Sequence, residues 1–185
     1  MRVVICDFDG TIIRGNLENT FLRFLLKETV YRWRILIISL FTLPINLLLN
    51  KFYIPSIFKS WTYVLKGQKS IIIDDFLNSS FFKDSVFLKY REDVIAKLSA
   101  IEYDYLLILT GSDEDLVRAF LRIENRFKFD EVIGSKVEKN FFRVKRHPYG
   151  KAKMEYVNRD NYNIGIANDY SDHFYMDMCN EKYYV

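Results

Sequence analysis

The 185-residue sequence predicts an α/β fold: a doubly wound, mainly parallel sheet interrupted near its start by an all-helical insert. Three observations carry that expectation. Short apolar runs of strand length recur at residues 3–6, 105–110 and 163–167, and each ends in polar or acidic residues. Helical periodicity fills most of the spaces between them. From Leu17 to about Phe82 the pattern is helical without a strand, which is too long for a simple crossover. Half of the residues are hydrophobic and 28% are charged, so a packed core is available and wholesale disorder is excluded. With 7 Gly and 3 Pro, collagenous and low-complexity architectures fail too. The length suits one compact domain with a small accessory.

Val3-Val4-Ile5-Cys6 reads as a buried parallel strand that delivers Asp7 and Asp9 to its carboxyl end. Leu17, Phe21, Phe24 and Leu25 fall at three-to-four spacing and predict a helix. Next comes an apolar stretch, residues 35–49. Thr42, Pro44 and Asn46 interrupt it, so the expectation is a buried or interfacial pair of helices, with a single spanning helix disfavoured. Ile54, Ile57, Phe58, Trp61, Val64 and Leu65 continue the helical pattern. Residues 87–99 form a return helix on Leu88, Val94, Ile95 and Leu98. After the second strand, Ser112 with Asp115 makes a capping pair for a helix over 113–123 whose apolar face is Leu116, Val117, Phe120 and Leu121. A third strand spans 129–134, a hairpin turns at Lys139-Asn140, a helix covers 151–157, and 182–185 is a last edge strand. The expected division is a core of residues 1–15 and 84–185 with residues 16–83 as the helical insert.

Charge and cysteine usage narrow the function. A net charge of +3 is too small to imply nucleic acid, and none is expected as a partner. Cys6 and Cys179 lie at opposite ends of the chain, which excludes a disulfide scaffold and fits a reducing, cytoplasmic setting. Asp7 follows too few apolar residues for a secretion signal. His147 and His173 have no partners at metal-ligand spacing and are given no chemistry.

The chemistry concentrates in four segments. Two carboxylates two residues apart at a strand end repel each other and call for a cation or for divided acid and base roles. Gly10 allows close backbone approach, and Thr11 adds a hydroxyl. Asp7-Phe8-Asp9-Gly10-Thr11 resembles the first motif of the haloacid dehalogenase-like hydrolases, a superfamily of phosphatases with an aspartyl nucleophile on a Rossmann-like sheet. Leu107 to Ser112 resembles the second motif, Lys151 the third, and Gly165 to Asp172 the fourth, in the family's order and across nearly the whole chain. The insert is where the phosphoserine-phosphatase-like branch carries a helical cap.

The resemblance implies a role for each residue. Asp7 would attack phosphorus, and Asp9 would protonate the leaving group and then deprotonate water. Thr110, Gly111 and Lys151 would bind the phosphoryl oxygens, with Lys151 preferred to its competitor Lys153 because of the loop Pro148-Tyr149-Gly150. A Mg²⁺ ion would be held by Asp7, the backbone carbonyl of Asp9 and a side chain of the fourth motif. That motif departs from the family pattern. Asn168 stands where the metal-binding aspartate is usual and Asp172 where the second acid is; Asp169 is one place late, and the sequence leaves open which of the three ligates.

The expected substrate is a phosphorylated small molecule or a lipid phosphate. The insert's Phe- and Leu-rich opening is similar to that of lipid-linked phosphatases such as phosphatidylglycerophosphatase C. Arg32 and Arg34 beside Trp33, with Lys27 and Lys51 nearby, add the expectation of a peripheral membrane contact at the inner face. Two alternatives stay open: a soluble small-metabolite phosphatase, and a weakly active or non-catalytic binding relative.

Overall fold

Alternation along the strands sorts the core into two faces of one sheet. The structure, a computed structural model, describes residues 1–51, 60–65, 67–85, 88–137, 144–168 and 170–185. The strands are β1 (Arg2–Cys6), β2 (Tyr105–Asp113), β3 (Glu131–Val137), β4 (Val144–Arg146), β5 (Tyr162–Ala167) and β6 (Glu181–Tyr184). They form a six-stranded sheet in the order β4-β3-β2-β1-β5-β6, parallel throughout except for β4, which runs antiparallel to β3. On one face Val4, Cys6, Leu106, Ile108, Val132, Ile164 and Ile166 join the larger buried cluster; on the other, Val3, Ile5, Leu107, Leu109, Ile133 and Ala167 build a second one. Ile5 pairs with Leu107 on one side and with Gly165 on the other, so β1 is central. Its carboxyl end opens between strands reached by separate crossovers, the place where ligands bind in open α/β sheets.

The helices are α1 (Leu17–Glu28), α2 (Arg32–Lys51), α3 (Ser60–Val64), α4 (Lys69–Asn78), α5 (Ser80–Lys83), α6 (Glu92–Ala100), α7 (Glu114–Glu124) and α8 (His173–Met176), with a 3₁₀ helix at Gly150–Tyr156. Asn16 caps α1, its side chain accepting from the Asn19 amide at 2.8 Å, and the predicted Leu17, Phe21, Phe24 and Leu25 are its buried face. The larger cluster continues from the sheet into this insert through aromatic rings. Phe8 meets Phe120 at 5.6 Å between centroids, Phe120 meets Phe82 at 5.8 Å, and Phe82 meets Phe76 at 5.4 Å. Phe76 in turn meets Phe21 at 5.2 Å.

Three expectations need correction. Residues 35–49 do not form two helices. They lie within the single α2, which runs through Pro44 although that residue withholds an amide from the ladder, and Pro44 sits on the exposed side of the helix. The cap of α7 is Asp113, which accepts from the Leu116 amide at 3.2 Å; Ser112 stays in β2, because the strand extends three residues past the apolar run. The segment 151–157 is a 3₁₀ helix, beginning at Gly150. The predicted turn at Lys139-Asn140, and Ile54, Ile57, Phe58 and Phe87, lie outside the described residues, but Val137 and Val144 on either side of that turn do pair antiparallel.

The junction of β2, α7 and β3 is tight. A Cβ on Gly134 would stand 2.7 Å from both the Glu114 Cα and the Ser112 carbonyl oxygen. The Glu114 carboxylate beside it is buried and accepts from the Gly134 amide at 3.1 Å, Lys136 at 2.8 Å, Arg118 at 3.2 Å and Arg146. Burial pushes its pKa up, yet these donors outweigh burial and hold it below the ordinary carboxylate value. Gly134→Ala is therefore expected to cost about 1–3 kcal/mol through backbone crowding, read as an earlier urea midpoint with an unchanged slope.

Candidate active site

The backbone turn after β1 sets the site. Gly10 adopts φ +77°, and a Cβ there would press on the Asn168 side chain, with Cγ at 3.0 Å. Glycine thus lets two strand-end loops touch. Segment 12–14 is anchored from the opposite side, the Arg14 amide donating to the Lys89 carbonyl at 3.0 Å and the Arg91 amide to the Ile12 carbonyl at 2.9 Å.

Asp7 and Asp9 experience different surroundings. Asp7 is buried, and Lys153 Nζ lies 2.7 Å from its Oδ1 and 2.5 Å from Asp172 Oδ1. Lys153 is itself buried. Burial alone would lower the lysine's pKa, but the two carboxylates reverse that and raise it, so the ammonium stays charged. Asp9 accepts from Ser112 Oγ at 2.6 Å, Thr110 Oγ1 at 3.2 Å and the Leu17 amide at 2.7 Å. Burial pushes its pKa up to about 6, against the lowering effect of the Ser112 and Leu17 hydrogen bonds. One carboxylate is locked to a cation, while the other is poised to hold a proton, the division that acid–base chemistry beside a nucleophile requires.

Thr11 connects the first and fourth segments. Its hydroxyl lies 3.1 Å from Asp7 Oδ2 and 2.9 Å from Asn168 Oδ1. One hydroxyl proton cannot serve both oxygens at once, so lone pairs of a carboxylate and an amide converge on the same spot. Among the described residues no three His, Cys, Asp or Glu side chains gather around a point. The donors at Asp7 and Asn168 are nevertheless all oxygen, and Mg²⁺ accepts one or two carboxylates completed by water and phosphate oxygens. The residues fit such an ion, and Asp7 and Asn168 would be its side-chain holders. Asp172 faces Lys153, and Asp169 lies outside the described residues.

These groups line a cavity of about 590 Å³ that reaches from Asp7, Asp9, Thr110, Gly111, Lys153 and Asn168 to helices α1 and α2 of the insert. Lys151 is not among them. It is exposed, with Nζ 5.3 Å from the Phe174 ring, and Lys153 stands in the place expected of it. The reason is helical phase: Gly150 and Lys153 share the buried side of the 3₁₀ helix with Val157 just beyond it, whereas Lys151 points away. The signal was present in the apolar Val157, four residues after Lys153. Ser112, read from sequence as a cap, turns out to be the shortest partner of Asp9. His147 also lines the cavity, its Nδ1 hydrogen-bonded to Ser135 Oγ, an approach no local pattern announces.

Comparison with known proteins bears on the fold and the family. A structure from Bordetella pertussis Tohama I, of a protein with unknown function, is similar at a TM-score of 0.64 and 10% identity, over 98% of this chain and 88% of that one. Phosphoserine phosphatase in its apo form and as a phospho-aspartyl intermediate analogue is each similar at a TM-score of 0.51 and 12% identity, over 97% of this chain and 84% of that one. At such identities these likenesses establish the fold. No curated protein sequence matches the chain. The expected likeness to phosphatidylglycerophosphatase C is not shown by these comparisons. A family model of the haloacid dehalogenase-like hydrolases does match, over residues 4–175, and with that span containing every segment of the cavity's polar end, the chain belongs to the haloacid dehalogenase-like hydrolases.

Proposed function

We propose that the chain is a Mg²⁺-dependent phosphomonoester hydrolase that works through an aspartyl phosphate on Asp7. The observation that carries the reading is the contrast between Asp7, ion-paired to buried Lys153, and Asp9, whose pKa of about 6 lets it carry a proton. In the first step an Asp7 carboxylate oxygen bonds to phosphorus as the ester P–O bond breaks, and the Asp9 proton goes to the leaving alkoxide. In the second, Asp9 takes a proton from water, the water oxygen bonds to phosphorus, and the Asp7–phosphorus bond breaks to release inorganic phosphate. Thr110 and the Gly111 amide position the phosphoryl oxygens, and Lys153 balances their charge. Mg²⁺ supplies charge neutralisation between phosphate and Asp7 when bound. That a phosphoserine phosphatase of this fold has been captured as a phospho-aspartyl analogue supports the two-step course.

For the leaving alcohol, we favour a lipid. Leu22, Leu26, Leu36 and Leu43 line the part of the cavity that belongs to the insert, a surface suited to an acyl or prenyl stem. A cytoplasmic protein working on the inner membrane face is the matching location. Asn168 favours one other reading, a relative with weakened or no catalysis. An aryl phosphate assay with Mg²⁺ and with a chelator separates the two, since catalysis that is absent in both conditions would overturn the enzymatic reading.

The neutral amide at Asn168 also yields an expected result. Asn168→Asp adds a formal negative charge beside the oxygens that Thr11 connects, and should tighten Mg²⁺ roughly tenfold in a calorimetric titration, about 1.4 kcal/mol. Equal affinity in the variant would detach Asn168 from the ion.

A further inference from the structure

Helix α2 carries its polarity inside out. Of the 18 residues Arg32–Leu49, Ile35 alone is buried, and the stretch is long and apolar enough to cross a bilayer by length and composition. Its inner stripe includes Ser39, Thr42 and Asn46, which line the cavity that holds Asp7. The opposite stripe is apolar and open: Trp33 is 71% exposed, Leu40 72% and Phe41 70%, with Ile37, Leu47 and Leu48 beside them. Soluble proteins seldom leave so large a contiguous apolar patch to water. The helix contains no acidic residue, and Arg32, Arg34 and Lys51 mark its ends.

We propose that α2 lies in the plane of an anionic lipid surface, its outer stripe among the acyl chains and its basic ends at the headgroups, so that one helix separates bilayer from catalytic cavity. Positive charge at both ends suits a helix lying flat, because both ends then meet the same layer of phosphates. A spanning orientation would take Ser39, Thr42 and Asn46, and the cavity with them, into hydrocarbon. The helix is about 30 Å long at 1.5 Å per residue, which gives the contact enough reach to orient the whole cavity mouth. The consequence for substrate rests on the phosphatase reading above: a lipid phosphomonoester would enter from the surface on which the protein sits.

The test uses the full chain and vesicles of phosphatidylcholine mixed equally with phosphatidylglycerol. The protein should sediment with these at low salt, bind pure phosphatidylcholine far less, and be weakened by molar salt. Arg34→Gln with Lys51→Gln should lower partitioning about 30-fold, at about fivefold per charge. Arg32 is left intact because its guanidinium donates to the Lys27 carbonyl at 2.9 Å, between α2 and α1. Leu40→Ser with Phe41→Ser should abolish sedimentation and hydrolysis of phosphatidate in the vesicles, while aryl phosphate hydrolysis in solution stays unchanged. Three results would each overturn the proposal: no binding to the mixed vesicles at low salt, a dimer that only the Leu40 and Phe41 changes dissociate, or retention in the bilayer after alkaline extraction. Asp7→Asn should bind vesicles like the wild type, so the loss of catalysis and the loss of docking are read independently.

Discussion

Asp7→Asn should reduce turnover by at least about 10⁴-fold, the low end of the loss when one member of a concerted catalytic group is removed, and should eliminate acid-stable phosphate on the protein. The amide preserves the size of the side chain and can keep its place near Thr11 and Lys153, so folding is expected to survive. What it lacks is a negatively charged oxygen able to form an acyl phosphate. A circular dichroism melt close to wild type beside a silent aryl phosphate assay is the predicted pair of results. Hydrolysis near the wild-type rate would remove Asp7 from the chemistry altogether.

The second large effect belongs to Lys153. Lys153→Met removes the cation shared by Asp7 and Asp172 and leaves two buried carboxylates facing each other, a change of about 3–5 kcal/mol for a broken buried pair. In a chain of this length that corresponds to a fall in Tm on the order of 6–20 °C, together with loss of activity. Lys151→Ala removes only an exposed side chain and should leave both readouts within error. Combining Lys153→Met with Asp172→Asn separates the two roles: relieving the repulsion should recover part of the Tm and none of the turnover. If Lys151→Ala were the damaging change, the assignment of the third motif would revert to the position that sequence alone preferred.

Much of this site was legible before any coordinates. The acid pair sits at the end of β1 because a short β-branched run followed by Asp and Gly can hardly do anything else, and Thr110 and Asn168 reach the same crevice because parallel strands end together. The loop Pro148-Tyr149-Gly150 points to Lys151, but burial follows helical phase, and phase selects Lys153. A three-residue period and a 3.6-residue period diverge within one turn, and apart from apolar Val157 the residues of that segment do not announce the phase. Ser112 reads as a cap because Asp115 follows it three residues on, but β2 continues in polar residues to Asp113. Hydropathy does not mark a strand whose last side chains are polar and, at Thr110 and Ser112, hydrogen-bond to Asp9. For α2, the apolar run is legible and its continuity is not, since Pro44 removes a ladder hydrogen bond and crowds the preceding turn and so reads as a breaker, yet the helix runs through it.

The ring series from Phe8 through Phe120, Phe82 and Phe76 to Phe21 bears on how such a protein could acquire a new substrate. An insert joined by two linkers invites grafting: excise it, splice in another, and the specificity travels with it. Here the insert and the sheet share side chains of one interior, so a transplanted insert would arrive without the sheet-side rings it packs on and would leave the host's own rings uncovered. A change of substrate is therefore easier by substitution along the inner stripe of α2, at Ser39, Thr42 and Asn46, which line the cavity and take no part in the shared interior.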